Sequence, residues 1–327
     1  EWVTPLSRYR EALSFIKQGL QDISLSRARL RWGVPVPWDE SQVVYVWIDA
    51  LLNYYTALSY AREGEDLTER YWPARHLIGK DILKFHAVIW PAMLMAAGIE
   101  VPRSIFIHGY LLMDEHKMSK SIGNVIDPFE IMDRFGTDTL RYYLFREVNF
   151  GQDGSISAAG FETRYNAELA NEYGNLASRT LAMIGRYRDG VVPEAKAQAE
   201  LAGDLEGIDQ RVCEKLDAVD VSGALEEIWT AVRRLNRYVQ DEEPWKLAKD
   251  AANAERLDEV LYGLAEGLRV VSVLVHPYMP DSAERLLEAL GQDDLTLSGA
   301  AFGAKPGGAQ TGELAPLFPR IEPAAAA

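Results

Sequence analysis

Cysteine is almost absent from this chain. Cys213 is the only one in 327 residues, which excludes an internal disulfide framework and any multi-cysteine zinc knuckle. It stands among charged residues in a helical context and reads as a filler rather than a nucleophile. Long apolar runs are missing too. The most apolar stretch, residues 89–99, is interrupted by Pro91 and falls well short of the ~20 residues that span a bilayer. The opening residues do not read as a secretory signal, so a cytoplasmic protein without membrane contact is expected. Positive charge is scarce: 34 Lys and Arg face 49 Asp and Glu, a net charge of −15. That balance argues against a broad surface for coating nucleic acid. It leaves room for a protein that reads a few unstacked bases, which takes local donors and aromatic platforms. No internal repeat is present.

Hydrophobic residues make up 48% of the chain, enough for two cores of ordinary domain size. Ser7 to Leu20 reads as a helix, followed by an irregular segment closed by Pro35 and Pro37. Gln42 to Ile48 is β-branched and aromatic and reads as a buried strand, with a helix from Ala50 to Ala61. His76 to Gly79 reads as a second strand leading into an apolar helix from Asp81 to Ala97, and Ser104 to His108 as a third. Strands alternating with helices predict a parallel sheet, whose ligands sit at the carboxyl ends of the strands. Asp49, Gly79, His108 and Gly109 are expected there. Helices near Pro128 to Phe135 and Asp138 to Glu147 lead away from the sheet.

Beyond the Gly151–Gly154 turn the periodicity becomes helical almost throughout. Leu225, Ile228, Val232, Leu235 and Val239 form one stripe, and Leu257, Val260, Leu264 and Leu268 another, the signature of amphipathic helices in a bundle. Helices are predicted over Phe161 to Tyr187, Val219 to Val239, Asn253 to Val275 and Asp281 to Leu290. The Gly/Ala/Pro-rich stretch from Gly299 to Gly312 reads as a flexible linker.

The run Lys117-Met118-Ser119-Lys120-Ser121 lies between a strand and a Pro-initiated helix, with Gly109 and Gly123 on either side. A Lys/Ser-rich turn is ordinarily a solvated loop. Here two ammonium groups at fixed spacing, with hydroxyl and backbone donors between them, suit a polyphosphate whose charge moves during reaction. The run is similar to the second signature of class I aminoacyl-tRNA synthetases, and its surroundings resemble the methionyl-tRNA synthetase family. The resemblance implies that Lys117 and Lys120 steady the pyrophosphate leaving group as an aminoacyl-adenylate forms, with Lys120 taking the larger transition-state part. Gly79, Asp81, His108, Gly109, Met118, Ser119 and Ser121 would join them around ATP, Asp81 at the ribose. Attack on the α-phosphate builds charge on the departing phosphates, so cations aimed there lower the barrier.

The family's methionine pocket is matched by Tyr45 to Ala50 with Asn53-Tyr54, and by Asp81 through His86 to Leu94. Carried over residue by residue, Trp47, Ala50, Tyr54, Ile82, His86 and Trp90 would surround the methionine side chain. Aromatic rings give a polarizable thioether contacts worth ~0.3–1.5 kcal/mol. Taken singly, these tryptophans read equally as core residues. Leu51-Leu52-Asn53 stands where some family members have Pro-Ile-Gly, which points to another branch. Asn171 to Arg179 resembles the family's anticodon-reading helix, with Asn175 and Arg179 on one side, and Trp245 in Glu243-Pro244-Trp245 matches its base-stacking residue.

The family's first signature, His-x-Gly-His, is not formed by any of His76, His86, His108, His116 and His276. The resemblance thus implies a C-terminal portion of a longer synthetase, with four parts. These are residues 1–38 as the end of a connective insertion and 39–156 as the C-terminal half of a Rossmann-like catalytic domain. Residues 157–298 form an all-α anticodon-binding bundle, and 299–327 a flexible linker and tail. It also implies ATP with Mg²⁺ as MgATP, no zinc or other metal site in this chain, and methionine and tRNA(Met) as partners. An N-terminal half of the same enzyme would be a further partner, and the chain alone would make little or no adenylate. A non-catalytic anticodon-binding module or complementing fragment, and a synthetase for leucine or cysteine, remain as alternative readings.

Overall fold

The computed structural model describes residues 2–113, 116–117 and 127–321. It divides into two compact units, Glu1–Tyr110 with Gly151–Asp153, and Leu111–Phe150 with Gly154–Ala327.

The first unit is α/β. Its elements in chain order are β1 (Val3–Thr4), α1 (Leu6–Lys17), β2 (Ser26–Arg27), β3 (Pro35–Val36), β4 (Asp39–Val44), α2 (Val46–Thr56), α3 (Thr68–Tyr71), β5 (Arg75–Gly79), α4 (Trp90–Ala96) and β6 (Ser104–His108). A 3₁₀ turn at Lys80–Ile82 and a π-helical stretch at Phe85–Ile89 link β5 to α4. Strands β1, β6 and β5 form a parallel sheet in that order, with Val3 opposite Ile105 and Gly79 opposite His108. Alternation along β6 buries Ile105 and Ile107, which pack with Val3, Ile78, Leu83, Ala87 and Val88. A second, smaller cluster joins Leu51, Trp90 and Leu94, with Trp47, Trp72 and Phe85 against it.

Two expectations are corrected in this unit. The strand predicted over Gln42 to Ile48 ends at Val44 and lies in a separate antiparallel sheet, ordered β2-β4-β3. Tyr45, extended at φ −69° and ψ 124°, caps α2, so Trp47, Ile48 and Asp49 are helical and Asp49 is not at a strand end. The spacing of Trp47, Leu51 and Tyr54 is helical, and burying that face overrides the β-propensity of Val-Tyr-Val-Trp-Ile. The first residues are also not merely the return from an insertion. The Ile105 amide donates to Trp2 O at 2.8 Å, and Val3 is 1% exposed as an edge-strand residue of the parallel sheet.

The second unit is mainly helical. Its elements are β7 (Leu111–Met113), β8 (His116–Lys117), α5 (Pro128–Phe135), α6 (Thr137–Glu147), β9 (Gly154–Ile156), α7 (Ala158–Arg164), α8 (Asn175–Arg188), α9 (Ala199–Leu205), α10 (Ile208–Asp217), α11 (Val221–Glu242), α12 (Pro244–Leu247), α13 (Ala254–Val275) and α14 (Pro280–Ala289). Strand β7 pairs antiparallel with β8 and parallel with β9. A π-helical stretch, Tyr165–Gly174, runs between α7 and α8. Asp127 and Ser157 cap α5 and α7 by accepting from the amides of Phe129 and Gly160, as short side-chain acceptors do at helix starts.

Both predicted stripes are buried, on α11 and α13, and all their residues lie within one continuous core. Gly267 makes the close approach of these helices possible, since a Cβ there would lie 2.5 Å from Leu235 Cδ2. The fold class is therefore the expected one, a parallel-sheet α/β unit and a helical bundle. The compact units divide the chain differently from the four expected parts, with Leu111–Phe150 in the second unit and Gly151–Asp153 in the first.

The segment read as a flexible linker is instead a packed strap. Val192 and Thr311 amides donate to Ala309 O at 2.9 Å and Gly190 O at 2.7 Å, while the Tyr262 hydroxyl donates to Lys305 O at 2.8 Å. Ala300, Leu317 and Phe318 are buried. Composition favoured flexibility, but main-chain hydrogen bonds and a few anchoring side chains fix the path.

Candidate functional site

In the first unit α2, β5 and the π-helical stretch before α4 each offer aromatic side chains to one place. Trp47 stacks on Phe85 with ring centroids 4.3 Å apart and planes 12° from parallel. Tyr54 contacts His76 at 4.8 Å, Trp90 at 5.2 Å and His86 at 5.6 Å. His76 meets Trp90 edge-on at 4.8 Å, and Trp72 approaches Trp90 at 5.8 Å. Trp90 and His86 are fully buried, whereas Tyr54 is 41% exposed and gives the cluster a face open to solvent. Ala50 lies half-buried on α2 between Trp47 and Tyr54.

The hydrogen bonds fix the state of His86. Its Nδ1 lies 3.1 Å from the Ile82 carbonyl, which can only accept, so Nδ1 carries the proton. Burial pushes its pKa down, so the ring is neutral and Nε2 is an acceptor. The Tyr54 hydroxyl, 3.2 Å from Nε2, is then the donor. Ile82 thus acts through its carbonyl, while its side chain packs on the other core cluster, with Ile78 and Leu83. His76 is pushed down to about 4, by burial first and by the neighbouring His86 second. Its Nε2 and the Trp90 indole nitrogen are buried without a hydrogen-bond partner.

The ends of β5 and β6 lie side by side, with Gly79 opposite His108. A Cβ on Gly79 would come within 2.8 Å of Asp81 Oδ1, and one on Gly109 within 2.2 Å of the Gln152 backbone. Gly109 needs glycine because backbone passes so close, whereas at Gly79 the near atom is the movable end of the Asp81 side chain. His108 donates from Nδ1 to Gly109 O at 2.8 Å. Lys80 Nζ binds Asp153 Oδ2 at 2.5 Å and lies 4.4 Å from the Tyr110 ring centroid.

In the second unit, Asn175 opens α8 with its side chain exposed, and Arg179 follows one turn later. The Arg179 guanidinium lies 5.7 Å from the centre of the Trp245 ring, which is 36% exposed. An exposed indole beside a guanidinium can take a base on its face and donate to the base edges. Lys117 pairs with Leu112 in the β7–β8 ladder. Met118, Ser119, Lys120 and Ser121 lie outside the described residues.

Three rings and one ion pair escaped the sequence reading. His76 was read as a strand residue, although its alternation with exposed Leu77 turns it toward the pocket. Phe85 and Trp72 carry no residue-type signal beyond aromaticity. The Lys80–Asp153 pair spans 73 positions and leaves no local trace.

Against known proteins, the family model for class I tRNA synthetases (M) matches residues 3–181, and that for the anticodon binding domain of methionyl tRNA ligase matches residues 191–310. The methionine–tRNA ligase of Caldanaerobacter subterraneus subsp. tengcongensis is 46% identical over 98% of this chain and 52% of the relative. That of Streptomyces coelicolor is 44% identical over 98% of this chain and 62% of the relative. Mycobacterium tuberculosis methionyl-tRNA synthetase in complex with methionyl-adenylate superimposes with a TM-score of 0.91 and 43% identity, over 98% of this chain and 64% of that one. The chain thus spans about half to two thirds of the length of these relatives. By matching both models in order along its length, it belongs to the methionyl-tRNA synthetase family of class I aminoacyl-tRNA synthetases.

Proposed function

We propose that this chain takes part in a methionine–tRNA ligase reaction, in which ATP activates methionine and the activated methionyl group passes to tRNA(Met). The observation that carries this reading is the pocket of Trp47, Tyr54, His86 and Trp90, with a neutral His86 whose tautomer is fixed by Ile82 O. A thioether carries no charge and no proton. It is suited to polarizable ring faces and to a pocket whose buried His86 is held neutral. The exposed edge of Tyr54 is the place where such a side chain would enter.

ATP would lie over the adjoining strand ends. Gly79 would let the nucleotide approach the backbone there, Gly109 would lie beside it, and Asp81 would receive the ribose. A methionine carboxylate oxygen attacks the α-phosphorus, the α–β phosphoanhydride bond breaks, and pyrophosphate leaves. Lys117 and Lys120 would hold that leaving group, giving charge stabilisation that grows as the bond breaks. Mg²⁺ would arrive with ATP, bound by the phosphate oxygens. In the second step the terminal ribose hydroxyl of tRNA attacks the methionyl carbonyl and AMP leaves. In a protein of its relatives' length, the remaining share would bring the His-x-Gly-His signature. The chain alone is proposed to make little adenylate.

Asn175, Arg179 and Trp245 are proposed to read the anticodon. Their placement in a unit with its own continuous core favours a second reading, an anticodon-binding module that acts without catalysis. No helix of the described residues is long and apolar enough to cross a membrane, and the proposed place of action is the cytoplasm. The test is methionine-dependent ATP–pyrophosphate exchange by this chain and by the complete enzyme, beside binding of tRNA with a methionine anticodon or a scrambled one. Exchange by the complete enzyme with selective tRNA binding supports the ligase. Selective binding without exchange in either form supports the module, and the absence of both refutes the two readings together.

A further inference from the structure

The arginines of the second unit are almost all engaged. Most close on carboxylates, as Arg188 does on Asp258 and Arg234 on Asp204, or on main-chain oxygens, as Arg141 does at Pro277 and Tyr278. Among the described residues of this unit, Arg179, Arg186 and Arg237 are the exceptions, with neither an ion pair nor a hydrogen bond. They stand apart in a chain that has 49 Asp and Glu to offer. Even Asp189, one turn beyond Arg186, is not paired with it. Two of the three share one face of α8. Arg186 lies two turns beyond Arg179, which places it about 20° around the helix and about 10.5 Å further along the axis. Asn175 and Ala182 belong to the same face, opposite the buried Leu176, Ala177 and Ile184. Nothing bulky stands on the turn between the two guanidinium groups. It carries exposed Ala182, and beside Arg186 even a Cβ added to Gly185 would meet nothing within 4 Å.

We propose that Arg186 binds a backbone phosphate of the RNA strand whose bases meet Asn175, Arg179 and Trp245. The helix α8 then holds RNA by base edges at its first turns and by a phosphate near its last. This rests on the anticodon reading above. Base contacts specify a sequence, whereas phosphate contacts fix the register and direction of the strand. A guanidinium offers two parallel N–H donors to phosphate oxygens, and an unengaged one need not give up a carboxylate to do so. The net charge of −15 sharpens the argument. An acidic surface repels RNA, so a strand is steered along the line where uncompensated positive charge stands. On α8 that line runs from Arg179, beside the Trp245 ring, to Arg186.

The competitor is a purely structural role. Arg186 lies in the last turn of α8, where a cation stabilises the helix end, and its guanidinium lies 5.7 Å from the centre of the Tyr187 ring. That role needs no RNA. It predicts a small loss of Tm when the charge is removed and no change in RNA binding or in its salt dependence.

The test uses this chain and an RNA hairpin with the anticodon stem and loop of tRNA(Met), bearing the methionine anticodon or a scrambled one. Affinities are measured across a salt series. Arg186→Gln should weaken both hairpins alike, about three- to fivefold at low salt. It should also make the slope of log K against log salt shallower by about 0.7, the share of one phosphate contact on a single strand. Arg186→Lys, which keeps the charge, should recover most of the affinity. Ethylation of single phosphates then locates the contact. One ethylated loop phosphate that impairs wild-type binding should cease to matter in Arg186→Gln and still matter in Arg237→Gln, which removes an exposed charge from α11 instead. Anticodon-selective wild-type binding with affinity and slope unchanged in Arg186→Gln overturns the proposal and leaves the anticodon reading standing. An equal loss in Arg237→Gln, with no phosphate released by Arg186→Gln, also overturns it, because net charge alone would then account for the effect. Wild type that binds both hairpins equally refutes the anticodon reading, and the ethylation pattern still decides for or against Arg186. Binding of neither hairpin overturns both.

Discussion

Replacing Arg269 tests how the strap after Gly299 is held to the bundle. Arg269 and Glu266 are 2% and 4% exposed, one turn apart on α13, and meet through two bonds of 2.7 Å. Arg269 also donates to Gly299 O at 2.5 Å and Ala301 O at 2.8 Å, while Glu266 accepts the Gly303 amide at 2.8 Å. The pair is therefore the connector between helix and strap. In Arg269→Met the aliphatic volume is roughly kept, but a buried carboxylate loses its counter-charge and two strap carbonyls lose their donor. Breaking a buried pair from one side costs about 3–5 kcal/mol, a large share of the 5–15 kcal/mol typical of a domain. Removing both charges in Glu266→Leu/Arg269→Met should cost less than the single change, since no uncompensated charge remains. Urea unfolding followed by tryptophan fluorescence reads the global effect. Limited proteolysis within residues 299–312 reads the local one. A single variant within about 1 kcal/mol of wild type, with the strap still protected, would refute the argument. It would show that the neighbouring Leu317 and Phe318 contacts hold the strap without the ion pair.

Three further outcomes are expected. His86→Phe removes the acceptor for Tyr54, a bond worth about 1 kcal/mol, and should weaken methionine about fivefold in equilibrium binding, with Tm lowered by about 2–4 °C. Arg179→Ala and Trp245→Ala should each weaken tRNA with a methionine anticodon by an amount set by ~1–3 kcal/mol of stacking, while pyrophosphate exchange by the complete enzyme is unaltered. His76 gives the pH dependence. Its folded pKa of about 4 lies below the ordinary 6.5, so between these values the unfolded chain binds more protons. Stability is then fully present above about 6.5 and is lost as pH falls toward 4. His76→Asn should flatten that part of the Tm-against-pH curve, and a curve identical to wild type would contradict the assignment.

How much was legible without coordinates differs between the two units. In the bundle, Leu225 to Val239 and Leu257 to Leu268 mark their helices because a buried helix face repeats every three to four residues, which is a local property of the chain. The roles given to the lysine run and to Asn175 and Arg179 came instead from resemblance to a family, carried by short stretches of sequence. In the α/β unit the same reasoning slipped at Gln42 to Ile48, where β-branched and aromatic residues favour a strand while the spacing of Trp47, Leu51 and Tyr54 satisfies a helix. Packing against Trp90 and Phe85, which lie some forty residues further on, decides that contest. Composition misled at Gly299 to Gly312 for a related reason. Glycine and proline lower the propensity for helix or sheet, but they do not prevent main-chain groups from finding partners in helices far away.

The sequence by itself determined the helical bundle and the presence of strands alternating with helices. These depend on periodicity and spacing, which the chain carries locally. Only the tertiary structure decided where α2 begins, that Val3 joins the parallel sheet, and that His76 stands in the aromatic pocket. It alone closed Lys80 onto Asp153 across 73 positions and Arg269 onto the strap. Such contacts arise when separate elements bury their apolar faces together, and the identity of the neighbours is then fixed by packing rather than by sequence distance.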